Sequence, residues 1–220
     1  MPSIVSDVTV PRSTAFTLRT ADGIDLRAEQ LIPSDVTAAA VLLHPHPLMG
    51  GDMHAPVVEH LFDELASRGV AVLRFDFRGA GGSSGSHGGG RSEAADAMAA
   101  LDSLASATTS PVWLVGWSFG ADVSLQVAAP TVAGWIAIAP PLRSVPQRDM
   151  LAANDLRPCS LLVPEHDQYN PPEHARPATA EWTATSVEVV PGADHFLGGR
   201  MSTLTDMVMR SITDPPTPPA

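Results

Sequence analysis

Short apolar runs alternate along the chain with stretches in which apolar residues recur at helical spacing. Residues 38–43, 70–75 and 112–115 are almost continuously apolar, which is typical of strands buried on both faces of a parallel sheet. Between the first two runs, apolar residues over 57–65 recur with the period of a helix. Strands that alternate with helices in this way predict a mostly parallel sheet covered by helices on both faces.

The remaining elements complete one α/β domain. Runs at 14–20 and 24–32 alternate loosely around an Asp-Gly turn, which predicts a hairpin at an antiparallel edge of the sheet. Further strands are predicted at 135–139, 161–163 and 187–190, and further helices at 92–105, 119–129 and 201–208. We expect an irregular lead-in, then the domain, then a proline-rich disordered tail, at 1–13, 14–212 and 213–220.

Composition limits the class of protein. A chain of 220 residues that is 44% hydrophobic can bury the core of one α/β domain. Its net charge of −11 argues against nucleic acid and anionic membranes as partners. No apolar stretch is long enough to span a bilayer, and the first residues lack the pattern of a signal peptide, so we expect a cytoplasmic protein. The single cysteine, Cys159, excludes an internal disulfide and a Cys-based zinc site.

The sequence Gly-Trp-Ser-Phe-Gly at 116–120 lies between a predicted strand and a predicted helix. In that context Gly-x-Ser-x-Gly is typical of a nucleophile elbow, a tight turn that exposes the hydroxyl of its serine, here Ser118. Glycine is expected at both ends because side chains there would clash with the neighbouring strand and helix. The helix that follows offers free N–H groups to a developing anion. The alternative is a glycine-rich turn that carries an incidental serine.

A serine nucleophile needs a base, which follows the serine and the acid in the chain order of such hydrolases. Three histidines follow Ser118, and His195 lies directly after the last predicted strand, at the edge where parallel strands form a crevice. His174 lies in a proline-rich segment, where we expect it to be exposed, and His166 lies beside the candidate acid. We therefore predict His195 as the base, with an ordinary surface histidine as the alternative.

The predicted acid is Asp167, which follows the strand at 161–163. Glu165 is the competing carboxylate, but Asp167 lies farther into the loop, where its side chain can turn toward the crevice. The loop after the preceding strand, 140–144, contains no carboxylate. We expect Asp194 to support its own loop. An ordinary turn aspartate is the alternative for Asp167.

Two backbone N–H groups are predicted to bind the oxyanion of the reaction. One belongs to Phe119, the residue after the serine, and the other to the loop 44–51 that follows the first buried strand. Pro45 and Pro47 have no N–H, so His46 is the best donor in that loop, through its backbone. The prolines should stiffen the loop and hold this N–H in place.

Four sequence blocks occur together and in order over 14–212. They are His44-Pro45-His46-Pro47, Phe75-Asp76-Phe77-Arg78-Gly79 with Ser83-Ser84-Gly85, Gly116-Trp117-Ser118-Phe119-Gly120, and Gly192-Ala193-Asp194-His195-Phe196. With these blocks the chain resembles the α/β-hydrolase superfamily, specifically the small lidless bacterial carboxylesterase-like hydrolases related to dienelactone hydrolase. The resemblance implies an α/β-hydrolase fold with about eight strands, helices on both faces and no large cap domain.

The resemblance also implies a site. It implies Ser118, Asp167 and His195 as the catalytic triad, and His46 and Phe119 as the oxyanion donors. The chain departs from the family in two respects. Dienelactone hydrolase has a cysteine nucleophile, so its substrate is not carried over, and many relatives have a pair such as His-Gly before the acid.

Three further features of the sequence bear on the substrate pocket, on metals and on cofactors. Leu48, Met49 and Trp117 are expected at the substrate pocket, with packing at a helix start as the alternative for Met49 and core packing as the alternative for Trp117. The histidine-rich stretch 44–60 is compatible with a metal hydrolase, but no further ligand set at a recognised spacing follows it, so we expect no metal. The glycine-rich loop at 79–90 has no lysine and matches no phosphate-binding pattern, so we expect no cofactor.

Taken together, these residues predict hydrolysis of small or short-chain carboxylic esters through an acyl-enzyme on Ser118. The stretch between the strands at 135–139 and 161–163 is too short for a large cap, and an open site favours small esters over long lipids. Thioesters fit the same machinery, and a binding module of the same fold without turnover is the alternative from another class. The predicted partner is a small-molecule ester, and the sequence leaves the oligomeric state open.

Overall fold

The computed structural model of the protein describes residues 12–215, which form one sheet flanked by helices. Most of the predicted lead-in and tail, at 1–11 and 216–220, lies outside the described residues. The strands are β1 Thr14–Arg19, β2 Asp25–Leu31, β3 Ala38–Leu43, β4 Val70–Phe75, β5 Val112–Trp117, β6 Val132–Ile138, β7 Cys159–Pro164 and β8 Thr185–Val190. The helices are α1 Pro56–Ser67, α2 Glu93–Ala107, α3 Phe119–Ser124, α4 Pro172–Ala178 and α5 Met201–Thr213.

The eight strands are arranged in the order β1-β2-β4-β3-β5-β6-β7-β8. The pairs β1–β2 and β2–β4 are antiparallel, and every other pair is parallel. The predicted mostly parallel sheet of about eight strands, with the first hairpin at an antiparallel edge, is thereby confirmed. In the hairpin, Gly23 adopts φ 86°, a left-handed conformation that glycine reaches without strain.

The sheet separates two apolar layers. Side chains of β3 alternate between them, with Val41 in the layer under α2 and α3 and Leu42 in the layer under α1 and α5. Helix α1 buries Val57, Leu61 and Leu65, which are the residues whose helical spacing predicted it. Because both faces are covered, the carboxyl edge of the parallel strands is the place where the loops can form a site.

Helix α3 is shorter than the predicted 119–129 and ends at Ser124. Beyond this residue the backbone bonds tighten, with the N–H of Gln126 bonded to the carbonyl of Val123. Farther along the segment, the carbonyl of Val127 accepts the indole N–H of Trp135 at 3.0 Å, which ties the chain beyond the helix to β6.

Helix α4 was not predicted, because its sequence is rich in proline. Pro172 occupies the first turn, where a missing N–H has no cost, and Pro177 lies near the other end. The connection from β6 to β7 contains only two short 3-10 turns, Gln147–Asp149 and Leu151–Asn154, and no cap domain. Within residues 12–215, no helix is both long enough and apolar enough to cross a membrane.

Candidate active site

Three side chains from three different loops meet at the carboxyl edge of the sheet. Ser118 follows β5, Asp167 follows β7 and His195 follows β8. His195 Nε2 lies 2.9 Å from the Oγ of Ser118, and His195 Nδ1 lies 2.8 Å from Oδ2 of Asp167. Asp167 and His195 are buried, whereas Ser118 is partly open to the cleft. The structure therefore brings the three predicted residues into one hydrogen-bonded row.

The backbone at Ser118 is strained in the manner of a nucleophile elbow. Its φ of 55° and ψ of −117° lie in a region that residues with a side chain rarely adopt. A Cβ on Gly116 would lie 2.2 Å from the carbonyl oxygen of Gly120, and one on Gly120 would lie 2.4 Å from that of Leu43. Both glycines are required because helix α3 passes so close to the strands before it.

Asp167 is held as an anion that orients the histidine. Its Oδ1 accepts the backbone N–H groups of Tyr169 and Asn170, at 2.7 and 3.1 Å, and its Oδ2 accepts Nδ1–H of His195. Burial alone would raise the pKa of Asp167, but the hydrogen bonds from His195 and these amides outweigh it, so the pKa lies below its usual value. With Nδ1–H donated to Asp167, Nε2 of His195 faces the serine as an acceptor.

The other candidate residues near the acid lie elsewhere. Glu165 is exposed and accepts the N–H of Gly192 at 2.7 Å. His166 and His174 are exposed, the latter on α4. Asp194 accepts the N–H of Phe196 and so closes a turn in its own loop.

The loop that follows β3 is shaped to present the N–H of His46. The carbonyl of His46 accepts the N–H groups of Met49 and Gly51, and a Cβ at Gly51 would lie 2.3 Å from the carbonyl oxygen of Pro45. Among the described residues, the N–H groups of His46 and Phe119 donate no hydrogen bond within the protein. Both residues line the cleft in front of Ser118, so two free donors are available there.

The imidazole of His46 has a separate, structural set of contacts. Its Nδ1 accepts the N–H of Leu48 at 3.2 Å, and its ring packs against those of Phe119 and His87, each at a centroid distance of 4.9 Å. Burial, reinforced by the neighbouring His87, lowers the pKa of His46. The ring therefore packs between the loop after β3 and Phe119 of the elbow, where the lowered pKa favours its neutral form.

The remaining histidines of the 44–60 stretch point in different directions. His44 is fully buried, donates Nδ1–H to the carbonyl of Pro45 and accepts the N–H of Phe77, and burial lowers its pKa to about 4. The ring of His54 lies near Glu59, and His60 contacts the hydroxyl of Thr205. In the part of the chain that the structure describes, no group of three or more His, Cys, Asp or Glu is arranged to hold a metal ion.

A cleft of about 430 Å³ opens in front of Ser118. Of the predicted pocket residues, Met49 and Trp117 line the cleft, whereas Leu48 does not. Trp117 also packs in the core, which was the alternative for it, and its indole N–H donates to the carbonyl of His195. Leu48 and Met49 both belong to the 3-10 turn Pro47–Met49 and are both largely exposed, but only Met49 borders the cleft.

The cleft residues that sequence reasoning missed include Arg143, Tyr169 and Phe196. The rings of Tyr169 and Phe196 pack edge-to-face against that of His195, at centroid distances of 4.5 and 5.5 Å. Their closeness in the chain to Asp167 and His195 was a signal that could have found them. Arg143 lies on the loop after β6, whose sequence carries no signal except that it lacks a carboxylate for the triad.

That loop is anchored by a buried carboxylate on the elbow helix. Oδ1 of Asp122 accepts the N–H of Leu142, and Oδ2 accepts those of Arg143 and Ser144, at 2.8 to 2.9 Å. Burial raises the pKa of Asp122 to about 6, although these hydrogen bonds oppose the shift. Leu142 adopts φ 53°, so the anchor also holds a strained turn. Helix α3 therefore fixes Ser118 and one wall of the cleft together.

The sheet order, the strained elbow and the absence of a cap between β6 and β7 define a lidless hydrolase of the α/β-hydrolase superfamily. The chain belongs to the hydrolase family described as serine aminopeptidase, S33, whose profile matches residues 36–165. That stretch contains Ser118 and ends before Asp167 and His195. The resemblance stated from the sequence blocks is confirmed at the level of the superfamily and its lidless bacterial type.

Two solved structures are similar over nearly the whole chain. An α/β serine hydrolase homologue from Coxiella burnetii is 29% identical, with a TM-score of 0.79 over 90% of this chain and 96% of that one. An α/β serine hydrolase without lid from Xanthomonas campestris is also 29% identical, with a TM-score of 0.79 over 93% and 97% of the two chains.

Two further similarities are limited to the fold or to part of the chain. An esterase from Pyrococcus furiosus, 17% identical with a TM-score of 0.72 over 91% of this chain and 93% of its own, shares the fold. An uncharacterized protein from Rickettsia prowazekii is 37% identical over 126 residues, which are 56% of this chain. The match spans about half of that relative's length, 52%.

Proposed function

We propose that this hydrolase cleaves small or short-chain carboxylic esters through an acyl-enzyme on Ser118. The observation that carries the proposal is the row of contacts at 2.9 and 2.8 Å that joins Ser118, His195 and Asp167. A hydroxyl within hydrogen-bond reach of an oriented imidazole is the minimal arrangement for nucleophilic acyl transfer.

In the proposed reaction, Nε2 of His195 takes the proton of Ser118 as its Oγ attacks the ester carbonyl carbon. The carbonyl oxygen becomes an oxyanion and accepts the N–H groups of His46 and Phe119. As the tetrahedral intermediate collapses, His195 returns its proton to the leaving alcohol. Water, deprotonated by the same imidazole, then attacks the acyl-enzyme and releases the acid and free Ser118. Asp167 stays ionised and stabilises the imidazolium in both steps.

The shape and chemistry of the cleft support small esters. It is open to solvent because no cap covers it, and its walls are mainly apolar side chains such as Met49, Trp117 and Phe196. Recognition of a free amino terminus, as in an aminopeptidase, calls for an anionic partner, and none of the lining residues is Asp or Glu. Thioesters remain a second candidate, since the same nucleophile and oxyanion donors serve both linkages.

A fluorophosphonate probe tests this proposal. We expect the probe to label the wild type and the Ser144→Ala variant, which removes the other serine of the cleft, and not the Ser118→Ala variant. A series of para-nitrophenyl esters of increasing acyl length, with matched thioesters, then measures pocket depth and linkage preference. Folded wild-type protein that neither reacts with the probe nor hydrolyses any member of the series would favour a binding module without turnover.

A further inference from the structure

One charged side chain faces the otherwise uncharged cleft. Apart from the histidines, Arg143 is the only residue lining the cleft whose side chain is charged at neutral pH. The protein as a whole carries a net charge of −11, so its average field disfavours anionic ligands. A single cation at this place reverses that preference locally.

The guanidinium of Arg143 is not used for an internal ion pair. Among the described residues, no carboxylate lies within 4.0 Å of it, whereas Arg74, Arg78 and Arg157 are paired with buried or half-buried acids. Its nearest polar contact is a long one, 3.5 Å from the carbonyl oxygen of Tyr169. Its side chain is exposed, and apart from this one long contact its N–H donors have no partner among the described residues.

The position of Arg143 is nevertheless well defined. Its backbone N–H is bound by the buried carboxylate of Asp122, between the similarly bound N–H groups of Leu142 and Ser144. Its guanidinium carbon lies 5.8 Å from the centre of the Tyr169 ring, which in turn packs against His195. Arg143 and Ser118 thus line one cleft, and the backbone of Arg143 is held in place by Asp122.

We propose that Arg143 is a specificity-determining residue that binds a carboxylate on the ester substrate. The inference rests on the proposed ester hydrolysis and adds the substrate's charge to it. A planar guanidinium can donate two parallel N–H groups to a carboxylate, and the apolar walls of the cleft strengthen such a bond. The carboxylate belongs to the acyl part or to the alcohol part of the ester, and both are tested.

The test compares esters that differ only in charge. In the acyl arm, mono-para-nitrophenyl adipate is compared with the para-nitrophenyl ester of adipamic acid. In the alcohol arm, para-acetoxybenzoate is compared with para-acetoxybenzamide. In one arm we expect wild-type kcat/KM to be about tenfold or more higher for the anion, and we expect Arg143→Gln to bring that ratio close to about one.

Arg148→Gln is the matched control. Arg148 lies on the same connection between β6 and β7, its side chain is 76% exposed and it does not line the cleft, so the substitution removes the same charge at a distance. We expect it to preserve the wild-type ratio, and Arg143→Lys, which keeps the charge without the planar fork, to give an intermediate ratio.

Two kinetic results would overturn the assignment while leaving ester hydrolysis intact. One is equal wild-type kcat/KM for the two members of both pairs. The other is an Arg143→Gln variant that loses the same factor on charged and neutral esters, because that result would assign Arg143 to packing against Tyr169.

Calorimetry separates the inference from the proposed reaction. In the Ser118→Ala background, monomethyl adipate should bind more tightly than its amide, and adding Arg143→Gln should abolish the difference. If this binding difference is found but the wild type hydrolyses no ester, the anion site stands and the proposed reaction fails. Equal binding of the acid and the amide, together with no charge preference in the alcohol arm, would rule out carboxylate binding by Arg143.

Discussion

The carboxylates of Glu165 and Asp167 lie on one loop but accept hydrogen bonds from different partners. Asp167 is buried and accepts Nδ1–H of His195, whereas Glu165 is exposed and accepts the backbone N–H of Gly192. The separation follows from the end of β7, where the N–H of Glu165 still bonds to Val190 of the adjacent strand and the chain turns only afterwards. Two acids that compete in the sequence are therefore distinguished by the turn between them.

Replacing each acid by its amide tests this distinction. Asp167→Asn should lower kcat by roughly 10³ to 10⁴, because the amide cannot stabilise the imidazolium and can reverse the tautomer of His195. Glu165→Gln, the matched control, keeps an oxygen for the N–H of Gly192 and should stay within about threefold of the wild type. Steady-state hydrolysis of a para-nitrophenyl ester measures both. A larger loss in the Glu165 variant would assign the acid to that residue.

The N–H of His46 is tested by a substitution that removes both the N–H and the ring, compared with one that removes only the ring. His46 has φ −57°, a value that the proline ring accepts, so His46→Pro should fold while losing the donor. The loss of one oxyanion donor should cost about 2 to 4 kcal/mol of transition-state stabilisation, seen in kcat/KM. His46→Ala keeps the N–H and loses only the ring, so it should retain most of the activity. Equal losses in the two variants would argue that the ring, not the amide, matters.

The close approach at the elbow predicts a steep cost for one methyl group. Gly116→Ala would place a Cβ 2.2 Å from the carbonyl oxygen of Gly120, so we expect a loss of about 3 kcal/mol or more in the free energy of unfolding. Gly198→Ala is the matched control, since a Cβ there would meet no atom within 4 Å. Urea denaturation followed by circular dichroism compares the two. Equal stability of both variants would mean that helix α3 shifts easily away from β5.

Buried His44 predicts a stability that falls on mild acidification. Burial lowers the pKa of His44 from 6.5 to about 4 in the folded protein. At a pH between these two values, the unfolded chain binds a proton at His44 and the folded protein does not. Through this group alone, the free energy of unfolding should drop by about 2 kcal/mol from pH 7 to pH 5. Urea denaturation at the two values should show that His44→Asn lacks this drop.

The pH comparison is made between the two proteins because Asp122 acts in the opposite direction. Burial raises the pKa of Asp122 from 3.8 to about 6, so the folded protein binds its proton more tightly and gains stability as the pH falls through that range. This contribution is common to the wild type and the His44 variant and cancels in the difference. Identical pH dependence in both proteins would contradict the role of His44.

Much of the fold was predictable because its signals are local. The continuous apolar runs became the buried strands, and the Asp-Gly turn marked the antiparallel edge. The ends of strands also predicted which loops meet, because parallel strands finish at one edge. That rule, together with the chain order of serine, acid and histidine, predicted that residues 118, 167 and 195 lie close together, as they do in the structure.

What escaped prediction depends on directions within loops and on contacts across the sheet. Leu48 and Met49 are neighbours of similar character, yet only Met49 lines the cleft, because the turn there sets their directions. Helix α3 ends at Ser124, before the predicted residue 129, and the segment after it is tied to β6 by the hydrogen bond from Trp135 to the carbonyl of Val127. Arg143 faces the cleft through a strained turn held from helix α3, and no periodicity in its own segment encodes that.

Asp122 binds the main chain of the β6–β7 loop through three amides. The backbone of the wall beside Ser118 is therefore fixed by the helix, whatever side chain residue 143 carries. Residue 143 can exchange charge, size or polarity while its backbone stays in place. A change of ligand preference can therefore arise at this position of the loop without displacing Ser118, Asp167 or His195.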